Sequence, residues 1–261
     1  MNNKHKTFLS ATARAQLAQK LDQYRPRNMR HEEFIISPDL EYTAGPFSTF
    51  NPNLAQLIRQ NTPSSKIESY AIALSHNLEP VAREYADAMT EVLTQNPGVH
   101  TAMLDLGMNV PRDIYMQYLQ KVLNKLADAL HMGDIHLPPV FVIDSWDQIP
   151  AQLHPKDQDP SAIDGAHIHL TTQDGNSFFA IIIHRGNIAR HSNNDKRRFF
   201  ILLMNTLAHE FSHHIDKTCP NRGAIGAQQA ALINSCPDIT EYSAHTIGDS
   251  VEKRLNALFQ R

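Results

Sequence analysis

Between Ser192 and Asp216 the chain runs for 25 residues without a proline or a glycine. Within it Phe200, Leu203, Met204, Leu207, Phe211 and Ile215 recur at steps of three and four, the period of a helix with one buried face. Ser192 with Asp195 three residues on resembles a capping-box start, so the expected element is one long amphipathic helix. Such a helix needs a second layer to cover its apolar stripe, which already rules out a chain without a packed core. Thr206, His209 and His213, spaced i, i+3, i+7, fall on the neighbouring stripe, at the margin of that core, where a shallow cleft suits them.

On this stripe His209-Glu210-Phe211-Ser212-His213 forms an H-E-x-x-H pattern. Residues four apart on a helix lie one turn apart on one face. His209 and His213 can therefore offer imidazole nitrogens to a single metal ion, with Glu210 beside them as a base. Random order would produce the pattern roughly 0.03 times in a chain of this composition. Its coincidence with a core-facing helix favours the metal reading over two ordinary surface histidines.

A catalytic zinc takes a third protein ligand and keeps one position open. Residues 238–259 predict a second helix, with Ile247, Val251, Leu255 and Leu258 on one stripe and Glu241, His245, Asp249 and Glu252 on an adjoining one. Glu241 is the candidate third ligand, at the N-terminal end of that helix, and His245 and Asp249 are its rivals. Asp238-x-x-Glu241 also reads as a capping box, in which Glu241 would satisfy a backbone N–H and hold no metal.

H-E-F-S-H followed, 28 residues after its second histidine, by Glu241-Tyr242-Ser243-Ala244 at a helix start resembles the gluzincin type of zinc metallopeptidase. The resemblance extends to compact bacterial members of that superfamily, among them repressor-cleaving peptidases and secreted effector or toxin peptidases. It implies His209, His213 and Glu241 as zinc ligands, Glu210 as general base, and hydrolysis of peptide bonds in a specific protein substrate. Thermolysin-like members carry an aspartate one turn after the ligand glutamate, where this chain has His245; Asp216 is a possible substitute for orienting a ligand imidazole. The metzincin spacing of Gly and His after His213 is absent. Tyr242, His245 and His184 are candidates by residue type for stabilising an oxyanion, with no spacing rule to choose among them.

The preceding region fits an α+β, minimal zincin-like domain. Residues 111–132 predict a helix with Ile114, Leu119, Val122, Leu123, Leu126 and Leu130 apolar, and 139–144, 166–172 and 177–184 predict strands, the last two flanking a Gln173-Asp174-Gly175-Asn176 hairpin turn. In the resembled superfamily a sheet edge above the cleft takes the substrate backbone as an added strand. His167, His169 and His184 lie in or beside these strands without an acidic or cysteine companion at ligand spacing, and no role is assigned to them.

Asn96-Pro97-Gly98 is a strong break, which divides the chain into a mainly helical N-terminal region, 1–97, and a catalytic domain, 98–261. Within the first, 9–23, 54–59 and 65–95 read as helical, the last interrupted or kinked near Pro80, and 24–52 as loop. The two cysteines, Cys219 and Cys236, flank the segment between the metal-bearing helices. In an oxidising compartment a bridge there would close 18 residues and contribute about 3 kcal/mol; otherwise they are two thiols.

Composition narrows the partners. A formal charge of −3 gives no basic surface for nucleic acid, and no apolar run approaches a membrane span. The 15 histidines would swing the charge positive on acidification. The N-terminus lacks the apolar core of a secretory signal, so the expectation is a soluble protein, cytoplasmic or exported without such a signal. The alternative to a peptidase is a partner-binding regulatory protein with restricted or vestigial activity.

Overall fold

The computed structural model describes residues 7–8, 40–42, 67–149, 154, 159–172, 177–219, 222–223 and 238–260. The architecture is α+β. In chain order its elements are β1 (Thr7–Phe8), β2 (Leu40–Tyr42), α1 (Ile67–Gln95), α2 (Pro97–Leu106), α3 (Arg112–Ala129), β3 (Val140–Ile143), β4 (Gly165–Thr172), β5 (Ser177–His184), α4 (Arg185–His191), α5 (Lys196–Thr218) and α6 (Asp238–Phe259). The strands form one mixed sheet in the order β1-β2-β4-β5-β3, with β3 parallel to β5 and the other neighbours antiparallel.

The apolar stripes fall inside as the periodicity predicts. Phe200, Leu203, Met204, Leu207, Phe211 and Ile215 of α5 are fully buried, as are Ile247, Val251 and Leu255 of α6. In α3 the exception is Ile114, which is exposed at the first turn; the next residue, Tyr115, points inward and donates its hydroxyl to Gly107 O at 2.7 Å.

Helix starts differ from the sequence reading where local turns intervene. Ser192 does not open α5; it ends α4, donating its hydroxyl to Ala189 O at 2.8 Å. Asn193 and Asn194, with φ of 54° and 60°, then reverse the chain, and Asp195 caps α5 by accepting from the Arg198 N–H. Pro80 lies within α1 without ending it, and the break at Asn96 is followed at once by α2, which Pro97 opens in the first turn, where its missing N–H leaves no bond unmade. Residues 40–42, read as loop, pair as a short strand with β4. The helical readings at 9–23 and 54–59, the 173–176 turn and Cys236 lie outside the described residues, and so does any bridge from Cys219.

Leu78, Met89 and Leu93 of α1 share one buried cluster with Leu119 of α3, Val142 of β3, Ile181 of β5, Phe211 of α5 and Leu255 of α6. The Asn96-Pro97 break therefore separates two helices of a common core, and α6 packs against both α1 and α5. Among the described residues no helix is long and apolar enough to cross a membrane.

Shared packing predicts shared unfolding. Leu255→Ala, which empties a fully buried site on α6, should cost about 2–5 kcal/mol. The single tryptophan, Trp146, is buried in a turn after β3 and reports on the sheet. In urea, its emission and the helical circular dichroism should shift to lower midpoints together; a shift in the helical signal alone would show that α6 unfolds independently.

Candidate metal centre

Helix α5 presents two adjacent rows to its neighbours. The row Thr206, Glu210 and His214 faces β4. A Cβ built on Gly165, at the start of β4, would come within 2.5 Å of Thr206 Cγ2 and 2.9 Å of Glu210 Oε1. Two residues along the strand, the backbone N–H of His167 donates to the same Glu210 carboxylate. His214 Nε2 donates to the carbonyl oxygen of His136 at 2.9 Å, which leaves its Nδ1 to accept from His167 Nε2 at 3.3 Å. Strand β4 thus lies against α5 on both sides of Glu210 along the helix, at Thr206 and at His214.

The second row, His209 and His213, faces α6. His209 Nε2 and His213 Nε2 are 3.2 Å apart, His213 Nε2 is 3.3 Å from Glu241 Oε1, and His209 Nε2 is 3.5 Å from Glu241 Oε2. Glu210 Oε1 lies 3.9 Å from His209 Nε2. The three residues singled out as ligands, together with the proposed base, therefore meet in one cleft at the α5–α6 seam. Of the two rivals, His245 also reaches it: its nitrogen and donor atoms of His209 and Glu241 all lie within 4.8 Å of one another. Asp249 belongs to neither donor group found among the described residues and is exposed on α6.

The donor spacing fits a tetrahedral ion. Bonds of about 2.0–2.2 Å to nitrogen and oxygen place neighbouring ligands about 3.3–3.5 Å apart. The distances of 3.2, 3.3 and 3.5 Å lie close to this range, the last two to different oxygens of the Glu241 carboxylate, and two imidazoles with one carboxylate are a donor set that suits zinc.

Burial and mutual charge set the protonation of the cleft. Glu210 is 4% exposed, and burial raises its pKa against the lowering pull of His209 and His213. Burial also works to lower His213, but the Glu241 carboxylate, through charge and hydrogen bonding, together with Glu210 and Asp216, holds it up to about 9. Glu241 shows the converse: burial acts to raise it, and His213 and His209 overcome this and hold it below the usual carboxylate range. Burial lowers His214 and His245 to about 4, leaving both neutral at pH 7. Asp216, on α5 three residues after His213, acts on that ring through its charge and lies against Gly223.

His184 stands apart from these contacts. It is buried beside Trp146, and its Nδ1 accepts from the Asn187 N–H at the start of α4. The side chain of Tyr242 lies outside the described residues. Gly165 and the His167 N–H were not anticipated, since their roles depend on how closely β4 approaches α5. Only the glycine at a strand start hinted at a close approach.

Comparison of the chain with protein-family models, with curated proteins and with solved structures finds no match.

The charge pattern has a defined pH signature in the metal-free protein. His213 is raised from about 6.5 to about 9, so its contribution is complete below about 6.5 and is lost as pH rises through 9. Glu241 is depressed, so its contribution is present above about 4.3 and is lost as pH falls through its folded pKa. The thermal midpoint measured in chelator should therefore decline from pH 6.5 to 9, and a flat profile would contradict the pairing. Zinc uptake at pH 7 must deprotonate His213; calorimetry in buffers of different ionisation enthalpy should show about one proton released per ion.

Close packing at Gly165 makes a separate prediction. Gly165→Val should displace the Glu210 carboxylate and reduce any activity that depends on it, while zinc content measured on the same sample stays near that of the wild type.

Proposed function

We propose that this chain is a zinc-dependent endopeptidase of the gluzincin type, with the helix–sheet–helix layout of a minimal zincin domain. The observation that carries the reading is the meeting of His209, His213 and Glu241 at tetrahedral ligand spacing with the buried carboxylate of Glu210 alongside. His209, His213 and Glu241 would hold the metal. A zinc ion bound there supplies Lewis acidity, which acidifies a water molecule and polarises a scissile carbonyl.

The chain's own residues supply proton transfer and positioning. Glu210 accepts a proton from the attacking water as its oxygen bonds to the carbonyl carbon, and returns that proton to the departing amine nitrogen as the C–N bond breaks. Its raised pKa brings it nearer to neutrality, as suits a group that must both take and give a proton. The His167 N–H keeps the carboxylate aimed while it does so.

A protein target accords with the resemblance to effector, toxin and repressor-cleaving peptidases, in which a sheet edge above the cleft takes the substrate backbone as an added strand. Strand β4, whose Gly165 lies against Glu210, is the described strand nearest the base.

Glu210→Gln separates chemistry from binding. It should retain zinc and the fold while reducing cleavage of an identified protein substrate by roughly 10²–10⁴-fold, whereas Glu241→Ala should bind zinc substantially more weakly in chelator competition. Equal cleavage by wild type and Glu210→Gln would reject the mechanism, and unchanged zinc affinity in Glu241→Ala would remove Glu241 from the ligand set.

A further inference from the structure

Two donor groups overlap in the cleft. One comprises His209, Glu210 and His213, and the other His209, Glu241 and His245. His245 follows Glu241 by one turn of α6, so the helix that delivers the carboxylate delivers a third imidazole to the same place. Its ring stands edge-on to that of His209, with centroids 4.7 Å apart and planes at 72°, and it is half-buried.

We propose, resting on the metal centre described above, that His245 is a fourth and exchangeable protein donor to the zinc ion. Together His209, His213, Glu241 and His245 amount to four donors, the number that closes a tetrahedral zinc site, whereas three leave a position for solvent. His245 already lies within 4.8 Å of the donor atoms of His209 and Glu241 and needs a position about 3.3 Å from them, a movement on the order of 1 Å. Side-chain torsion changes supply that without moving α6. With zinc bound, three imidazoles and one carboxylate would close the resting centre. Withdrawal of His245 would free the position that hydrolysis requires, so the residue would govern access to the ion and leave the proton transfers to Glu210.

Zinc K-edge X-ray absorption on the full chain loaded with one zinc tests this, because multiple scattering counts imidazole ligands. Three imidazoles are expected in the wild type and two in His245→Ala. By chelator competition the zinc dissociation constant of His245→Ala should rise at least about tenfold. Two imidazoles in the wild type, or an unchanged count and affinity in the variant, would overturn the role of His245 and leave the three-ligand centre standing. A chain that takes up no zinc, or that keeps it undiminished in His209→Ala, would overturn the centre itself and this inference with it. Circular dichroism monitors folding of the variant; should it fail to fold, the imidazole count of the wild type decides alone.

Discussion

The packing of α6 between α1 and α5 is the constraint on which the cleft depends. Ile247, Val251 and Leu255 are fully buried in this seam, and they fix the rotation of α6 about its own axis. With that rotation set, Glu241 and His245 must face α5, because they lie on the stripe next to the apolar one. A helix turned by one residue would move both away by about 100°. The donors thus converge as a consequence of core packing, which is far stronger than the attraction among a few polar groups at its margin.

Placing ionisable groups at that margin has electrostatic consequences. A carboxylate buried alone would take up a proton, but two imidazoles within 3.5 Å hold Glu241 ionised and in return hold His213 protonated in the metal-free chain. The same three groups, with His213 deprotonated, form a ready set of ligands. Preorganisation of this kind lets the site bind a cation with little rearrangement, since the fold has already met the cost of bringing the donors together. Glu210, only 3.9 Å from His209 Nε2, is affected differently: burial outweighs the neighbouring imidazoles and its affinity for a proton rises.

The sheet contributes through one close approach. Gly165 lets the start of β4 come against Thr206 and Glu210, and the His167–His214 bond holds the strand there. That neutral pair of histidines accounts for two residues for which the pattern of the chain suggested no role. His214 belongs to the same helix as the H-E-x-x-H pattern, yet it faces the opposite neighbour from His213, because adjacent residues on a helix diverge by about 100°.

Much of this was legible in the amino-acid order. A period of 3.6 across 192–216 and 238–259 located both helices and their buried faces, because local periodicity is dictated by backbone geometry and survives in almost any tertiary setting, and the short runs flanking the 173–176 turn signal located β4 and β5. The pairing of His209 with His213 followed from helix geometry alone. Other features depended on contacts between segments far apart in the chain. The choice of Asp195 over Ser192 as the cap was made by a turn with two residues at positive φ. The union of α1 with the core across the Asn96-Pro97 break, the strand at 40–42, and the meeting of Glu241 and His245 with imidazoles some thirty residues away were decided by packing. Sequence determines which faces are apolar and which carry ligands; the tertiary structure decides which faces meet, because that depends on burying all the apolar stripes at once.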